Sequence, residues 1–264
     1  MEKRITSLQN PEVKRVVALT EKARDRKEQN RFIVEGVREI SLAQQSGYEF
    51  EKLFVCPELY KPDTEYPINL KNLELVEVSV EVYNKMAYRA NDGGMLALAE
   101  QKALQLSDLS IKKESLILVL ESLEKPGNLG AILRTCDAAR VDAVLICDGK
   151  TDIYNPNAIR SGVGCLFTNQ IAVCSSEDAI TWLKENKFSI FTTDLTATHY
   201  YHQVDYRKAS AIVMGSEAWG VSEKWKKAAN AKIKIPMSGK IDSMNVSNSA
   251  AILIYEAMRQ RDFK

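Results

Sequence analysis

The sequence predicts an α/β protein built from two domains, and three observations carry that expectation. Its 264 residues exceed the usual size of one domain. From residue 115 onward, short apolar or β-branched runs alternate with helical patterns, as in a mainly parallel sheet covered on both faces. Residues 101–114 (QKALQLSDLSIKKE) mix polarities with no clear apolar face. The division therefore falls there, with a first domain over 1–105, a linker over 106–114 and a second domain over 115–264.

In the first domain, residues 11–29 read as a basic amphipathic helix. Val13, Val16, Val17 and Leu19 stand among lysines and arginines, and Pro11 suits the first turn. Residues 31–36 (RFIVEG) read as a strand leading into a helix near 37–46, and 52–56 and 73–80 as further strands. The loop 57–69 between them carries three of the seven prolines.

In the second domain, strands are expected at 115–120, 143–147, 170–173, 189–193, 210–214 and 232–235. Helices are expected at 128–140, 155–167, 177–186, 222–230 and 246–261. In such a sheet the site belongs in the loops at the carboxyl ends of the strands.

Composition excludes several classes of function. With 45% hydrophobic and 27% charged residues, the chain sits at ordinary globular usage. The N-terminus lacks a secretory pattern, and no apolar run is long enough to span a bilayer, so a cytoplasmic location without membrane contact is expected. Cys56, Cys136, Cys147, Cys165 and Cys174 show no zinc spacing and read as reduced thiols. His199 and His202 have no acid or cysteine arranged around them, so no metal is expected. A net charge of +1 hides two basic segments: nine bases against five acids over residues 1–31, and six lysines against Glu223 and Asp242 over 222–243. Both segments are candidates to grip phosphates, against the plainer reading of a solvated face.

Three loops in the second domain are candidates for chemistry. After the strand 115–120, Pro126-Gly127 forms a turn, Asn128 suits an N-cap, and Arg134 lies nearly two turns along the helix. Gly127 and Gly130 lack the third glycine of a dinucleotide fingerprint, and Asp148-Gly149-Lys150-Thr151 fails as a P-loop because Val144 stands where its first glycine belongs. After the strand 210–214 comes Gly215-Ser216-Glu217-Ala218-Trp219-Gly220. There Gly215 permits a close approach, Glu217 projects from the loop, and Ser222 is expected to cap the next helix. Ser216 has no glycine two positions on and is no nucleophile elbow. The last loop, 236–247, supplies Ser243, Asn245 and Ser247 before a long apolar helix. Trp182 reads as core, whereas Trp219 is placed to face a ligand or partner.

In combination and order these segments resemble a known family. Asn128-x-Gly130 with Arg134, Gly215-x-Glu217-x-x-Gly220, and Ile235-Pro-Met-x-Gly239 with Ser243-Met-Asn-Val-Ser247 are similar to the three motifs of the SpoU/TrmH-type RNA 2′-O-ribose methyltransferases. The resemblance spans 115–261. Ile5-Thr-Ser-Leu-Gln-Asn-Pro and Phe32-Ile-Val-Glu-Gly36 look like the RNA-substrate-binding domain that precedes the catalytic domain in many members. The resemblance implies a small N-terminal α/β substrate-binding domain and a C-terminal α/β parallel-sheet domain with a trefoil knot. It also implies a homodimer paired through the knotted domain and S-adenosylmethionine as cofactor. Carried over position by position, the cofactor contacts fall on Gly215, Ile235 and Met244, and the catalytic positions on Asn128, Arg134, Glu217, Ser243 and Asn245.

Two positions depart from the family pattern. Met244 replaces the usual leucine with a side chain of similar volume. Asn91-Asp-Gly-Gly-Met95 stands where Pro-Gln-Gly is common, which bears on RNA selection more than on chemistry. The activity implied is methylation of a ribose 2′-hydroxyl in structured RNA, ribosomal RNA slightly ahead of transfer RNA. The alternatives are a non-catalytic RNA-binding or assembly factor on the same fold and a sibling that methylates a base.

Overall fold

In the computed structural model, which describes residues 3–71, 73–90, 93–241 and 243–263, the first half of the chain runs in order through β1 (Lys3–Ile5), α1 (Pro11–Glu21), α2 (Ala23–Gln29), β2 (Arg31–Glu35), α3 (Val37–Gln45), β3 (Phe50–Val55), β4 (Leu75–Val78), α4 (Val80–Met86) and β5 (Met95–Glu100). The second half continues through β6 (Leu116–Glu121), α5 (Pro126–Ala138), β7 (Ala143–Cys147), α6 (Pro156–Ser161), α7 (Cys165–Thr168), β8 (Ile171–Cys174), α8 (Ser176–Glu185) and β9 (Ser189–Thr193). It ends with β10 (His199–Tyr200), β11 (Ser210–Met214), α9 (Glu223–Ala228), β12 (Ala231–Lys234) and α10 (Val246–Gln260). Asn91 and Asp92, of the segment that departs from the family pattern, lie outside the described residues.

The chain packs as two compact units: Met1–Ala103 with Asp152–Thr168, and Leu104–Thr151 with Asn169–Lys264. The excursion 152–168 thus belongs with residues distant in sequence.

The first unit holds a five-stranded mixed sheet ordered β1-β4-β3-β5-β2. β5 is central in function though not in sequence signal: it pairs antiparallel with both β2 and β3. Its residues 95–99 are buried on both faces, so it shows the continuous apolar run of an interior strand rather than an alternation. The expected helix over 11–29 is two helices, because Lys22 takes an extended conformation between α1 and α2. In α2 the Arg26 guanidinium is buried. It is 1% exposed, donates to the carbonyls of Leu19 and Thr20, and pairs with Asp152 at 2.5 Å. Arg4 with Glu58, Arg15 with Glu51, Arg24 with Glu28, and Arg31 with Glu51 also form ion pairs, so the arginines of the basic N-terminal segment largely serve the unit's own acids.

The second unit holds a seven-stranded sheet ordered β10-β12-β9-β11-β6-β7-β8, with every pairing parallel. β6, β7 and β11 are buried along their whole length, as strands covered on both faces must be. α8 and α9 pack on one another over the cluster containing Leu145, Ala179, Val213 and Trp225. Trp225 is the fully buried tryptophan, and Trp182 is half-buried and stacks on Phe188 at 5.9 Å. α10 packs against α5. No helix among the described residues is long and apolar enough to cross a membrane.

The expected helix over 155–167 is broken into α6 and α7. Val163 at φ +47° and Gly164 at φ +84° separate them. A β-branched residue in that region is an outlier that only its surroundings can hold in place.

Candidate active site

The parallel sheet sends its loops from one edge, and three of them carry the motif residues. β6 leads to α5, β11 leads to the loop Gly215–Gly220, and β12 leads to the segment 235–245. β6 and β11 are neighbours in the sheet, and β9 separates β11 from β12.

α5 begins at Pro126, earlier than its sequence pattern suggests, because proline arrives with helical φ and needs no amide partner in the first turn. Asn128 therefore stands inside the helix and does not cap it. Its side chain is released for another task.

The loop after β11 is closed by two backbone hydrogen bonds between Ser216 and Gly220, at 3.0 and 3.1 Å. The buried Ser216 hydroxyl accepts from the Trp219 amide at 3.1 Å. Gly220 turns the chain at φ +65°, which returns its backbone across Gly215. A Cβ on Gly215 would overlap the Gly220 carbonyl and the Val221 amide. The absence of a side chain at Gly215 thus makes room for the chain itself, whereas the space beside Gly220 is open.

Asn128 joins all three loops. Its side-chain amide donates to Glu217 Oε1 at 2.6 Å, and its Oδ1 accepts from the Asn245 side-chain amide at 3.2 Å. Asn245 Oδ1 in turn accepts from the Ser247 amide at 2.9 Å and from the Ser247 hydroxyl at 2.6 Å, which makes Asn245 the N-cap of α10. The sense of this relay is fixed by chemistry. An ionised carboxylate only accepts, so Asn128 must turn its amide nitrogen to Glu217 and its oxygen to Asn245. Asn245 must then present its own nitrogen to Asn128 and keep its oxygen for the start of the helix.

Arg134 is exposed on α5 and makes no hydrogen bond or ion pair with the described residues. Ser243 is exposed two residues before Asn245. The structure thus brings Asn128, Glu217 and Asn245 into direct contact and leaves Arg134 outside their hydrogen bonds. Ile235 and Met244 are half-buried, and they offer apolar surface within the segment that ends at Asn245. Among the described residues, no group of three or more His, Cys, Asp or Glu side chains is arranged to hold a metal ion.

The model of the SpoU rRNA methylase family matches residues 115–255, more than half of the chain and all three loops. The chain belongs to that family. The model of the MRM3-like substrate-binding domain matches residues 10–97. A SpoU-family relative of nearly the same extent is the 23S rRNA (uridine(2479)-2′-O)-methyltransferase of Streptomyces viridochromogenes, 26% identical over 98% of this chain and 93% of its own. Among solved structures, an RNA 2′-O ribose methyltransferase is 39% identical, with a TM-score of 0.85 over 98% of this chain and 99% of its own. An AdoMet-bound rRNA methyltransferase of Sinorhizobium meliloti is 28% identical, with a TM-score of 0.88 over 97% of each chain.

Sequence reasoning missed one residue that braces the SpoU-type loops. Glu121, 4% exposed at the end of β6, accepts from the Ser222 amide at 2.8 Å, and the buried Ser176 hydroxyl, which accepts from Trp225 Nε1 at 2.9 Å, approaches its other oxygen at 3.5 Å. This carboxylate caps α9 in place of the Ser222 side chain, which makes no capping bond. A lone acid closing an otherwise apolar strand was the available signal.

Proposed function

We propose that the chain transfers a methyl group from S-adenosylmethionine to a ribose 2′-hydroxyl of structured RNA, with ribosomal RNA as substrate. The observation that carries this reading is the relay from Asn245 through Asn128 to Glu217, which ties the three family motifs into one polar surface, with half-buried Met244 next to Asn245 in the chain. Full-length relatives from Streptomyces and Sinorhizobium are named as rRNA methyltransferases and one from Synechocystis as a tRNA/rRNA methyltransferase, which favours ribosomal RNA.

Gly215, Ile235 and Met244 would hold the cofactor through backbone and apolar surface. The cofactor supplies a methyl group already activated on a sulfonium. The chain's own contribution is to align the ribose oxygen and assist loss of its proton, and alignment alone supplies up to about 7–11 kcal/mol. Asn128, Glu217, Ser243 and Asn245 orient the ribose. Arg134 offers a planar, donor-only guanidinium that stabilises the developing alkoxide or grips the adjacent phosphate. Its exposure and lack of a partner among the described residues suit a group that waits for an anion.

The same reading takes 1–105 as the RNA-binding domain, 106–114 as linker and 115–264 as a methyltransferase domain closed by a trefoil knot. The return of α10 onto α5, and of Asn245 onto Asn128, supports a chain that doubles back through its own motif loops. It also takes the protein as a homodimer paired through that domain, so sedimentation should give about twice the 29.7 kDa chain mass.

The test is nucleoside mass spectrometry of RNA incubated with protein and labelled cofactor. Label on a ribose of rRNA supports the reading. Label on a base makes the chain a base methyltransferase, and no label with any cellular RNA makes it a binding factor.

A further inference from the structure

Within the first unit a cavity of about 220 Å³ opens at the start of α3, lined among others by Glu35, Arg38, Glu39, Tyr88, Arg160 and Val163. Its focus is the Glu39 carboxylate. Glu39 is 9% exposed, yet only Oε1 is engaged, by Arg38 at 2.8 and 3.3 Å, and Oε2 has no hydrogen-bond donor among the described residues. A glutamate at the third position of a helix ordinarily reaches back to the N-cap amide. Here that amide, of Gly36, donates to the Met95 carbonyl at 3.1 Å. Helix capping therefore does not account for Oε2.

The chain makes room for this side chain at Gly36, and Gly164 packs against it at ordinary contact distance. Gly36 at φ +100° would carry a Cβ 2.6 Å from Oε2, and Gly164 at φ +84° would carry one 3.5 Å from Glu39 Cγ. Val163, on the cavity wall, is held at φ +47°. Strained backbone on the wall and a largely buried carboxylate that faces the cavity with one oxygen unbonded among the described residues suit a site that a ligand completes.

The charges decide the kind of ligand. Among the described residues, two carboxylates and two guanidiniums line the cavity, Arg38 against Glu39 and Arg160 against Glu35 at 3.5 Å, so these groups bring no net positive charge to draw in a phosphate. Acceptor-only and donor-only groups stand side by side instead. Guanine matches that pattern, since its N1–H and N2 amino group donate next to the O6 and N7 acceptors. Tyr88, 48% exposed at the rim, offers a ring face for stacking.

We propose that this cavity receives an unpaired guanine of the RNA substrate, with Glu39 accepting from the base, an arginine donating to its O6, and Tyr88 stacking on its face. The inference rests on the reading of the chain as an RNA-modifying enzyme, and it concerns recognition, not methyl transfer. The experiment titrates the full chain with 5′-GMP, AMP, CMP, UMP and ribose 5-phosphate, followed by ligand-observed NMR. GMP should bind saturably and at least about fivefold more tightly than the others. Glu39→Gln replaces one of two acceptor oxygens with a donor amide and removes the charge, and Tyr88→Ala removes an exposed ring without disturbing the core. Each should weaken GMP by about five- to a hundredfold and raise the KM for RNA, with thermal melting as the check on folding. Absent GMP binding, equal binding of all four nucleotides or of ribose 5-phosphate, or parental affinity in both variants overturns the proposal. GMP binding is read without methyl transfer. A chain that methylates RNA but ignores GMP loses only this pocket, whereas one that binds GMP but labels no RNA keeps the pocket and loses the enzymatic reading.

Discussion

All seven strands of the second unit run parallel, so one edge of its sheet gathers three loops, and their polar side chains meet one another. The five strands of the first unit are mixed, with β5 antiparallel to both neighbours, and most of its charged groups are spent in pairs that hold the unit together. The same residue types thus do different work in the two places. In the second unit an arginine and a relay of amides are left facing outward. In the first, an arginine is driven into the core and anchored. Arg134 and Arg26 mark the two extremes: one exposed with no partner among the described residues, the other 1% exposed with three.

The largest expected effect tests whether that anchoring belongs to the first unit alone. Asp152→Asn leaves the Arg26 guanidinium buried beside a neutral partner, at a cost of about 3 kcal/mol. Chemical denaturation should show the first unit unfolding earlier, while affinity for S-adenosylmethionine, read by calorimetry, stays within about twofold. A parallel loss of cofactor affinity would break the comparison and make the two units one cooperative body.

Next comes Gly215→Ala. A Cβ there meets the returning Gly220 and Val221 backbone, which no rotamer relieves. The loop must open, at about 1–3 kcal/mol, and cofactor affinity should fall by at least about tenfold if the loop shapes that site. Unchanged affinity would move the cofactor away from Gly215.

These two positions also show what the sequence revealed and what it hid. The alternation of apolar strands with helices in 115–261 made the parallel sheet legible, and the order of three weak motifs made the family legible. The reason for Gly215 was not legible: a glycine past a strand signals a close approach, and only the fold shows that the approaching group is the chain itself. Asn128 read as a cap because a proline two residues earlier was taken as part of a turn. Arg26 reads as one base among several, because nothing in the sequence shows that Asp152, far along the chain, and the carbonyls of Leu19 and Thr20 receive its guanidinium. β5 went unseen because a strand buried on both faces loses the period of two that marks a half-exposed one.

Smaller effects separate the two roles of the relay. Asn245→Ala removes both the contact to Asn128 and the N-cap of α10, so it should lower stability by about 1 kcal/mol and cut kcat/KM. Asn128→Ala breaks the relay without touching a cap. It should leave the melting temperature within a degree or two and reduce kcat/KM by up to about a hundredfold. If both variants lose stability alike and neither loses rate, the relay is scaffolding and the polar surface for ribose must lie elsewhere.

The smallest effect concerns Ser222, where sequence and structure disagree most cleanly about one hydroxyl. By position it is the N-cap of α9, and truncating a capping serine ordinarily costs about 1 kcal/mol. In the folded chain its Oγ is buried with no hydrogen-bond partner among the described residues, and Glu121 takes the Ser222 amide from the end of β6. Ser222→Ala therefore removes a buried polar group that gains nothing, and stability should stay within about 0.5 kcal/mol or rise. Glu121→Gln should be the costly change of the pair, since it weakens a charge-assisted bond at 2.8 Å and neutralises the carboxylate that stands over the helix N-terminus. A loss of 1 kcal/mol or more in Ser222→Ala, with Glu121→Gln silent, would return the cap to the serine and strip the β6 carboxylate of its bracing role.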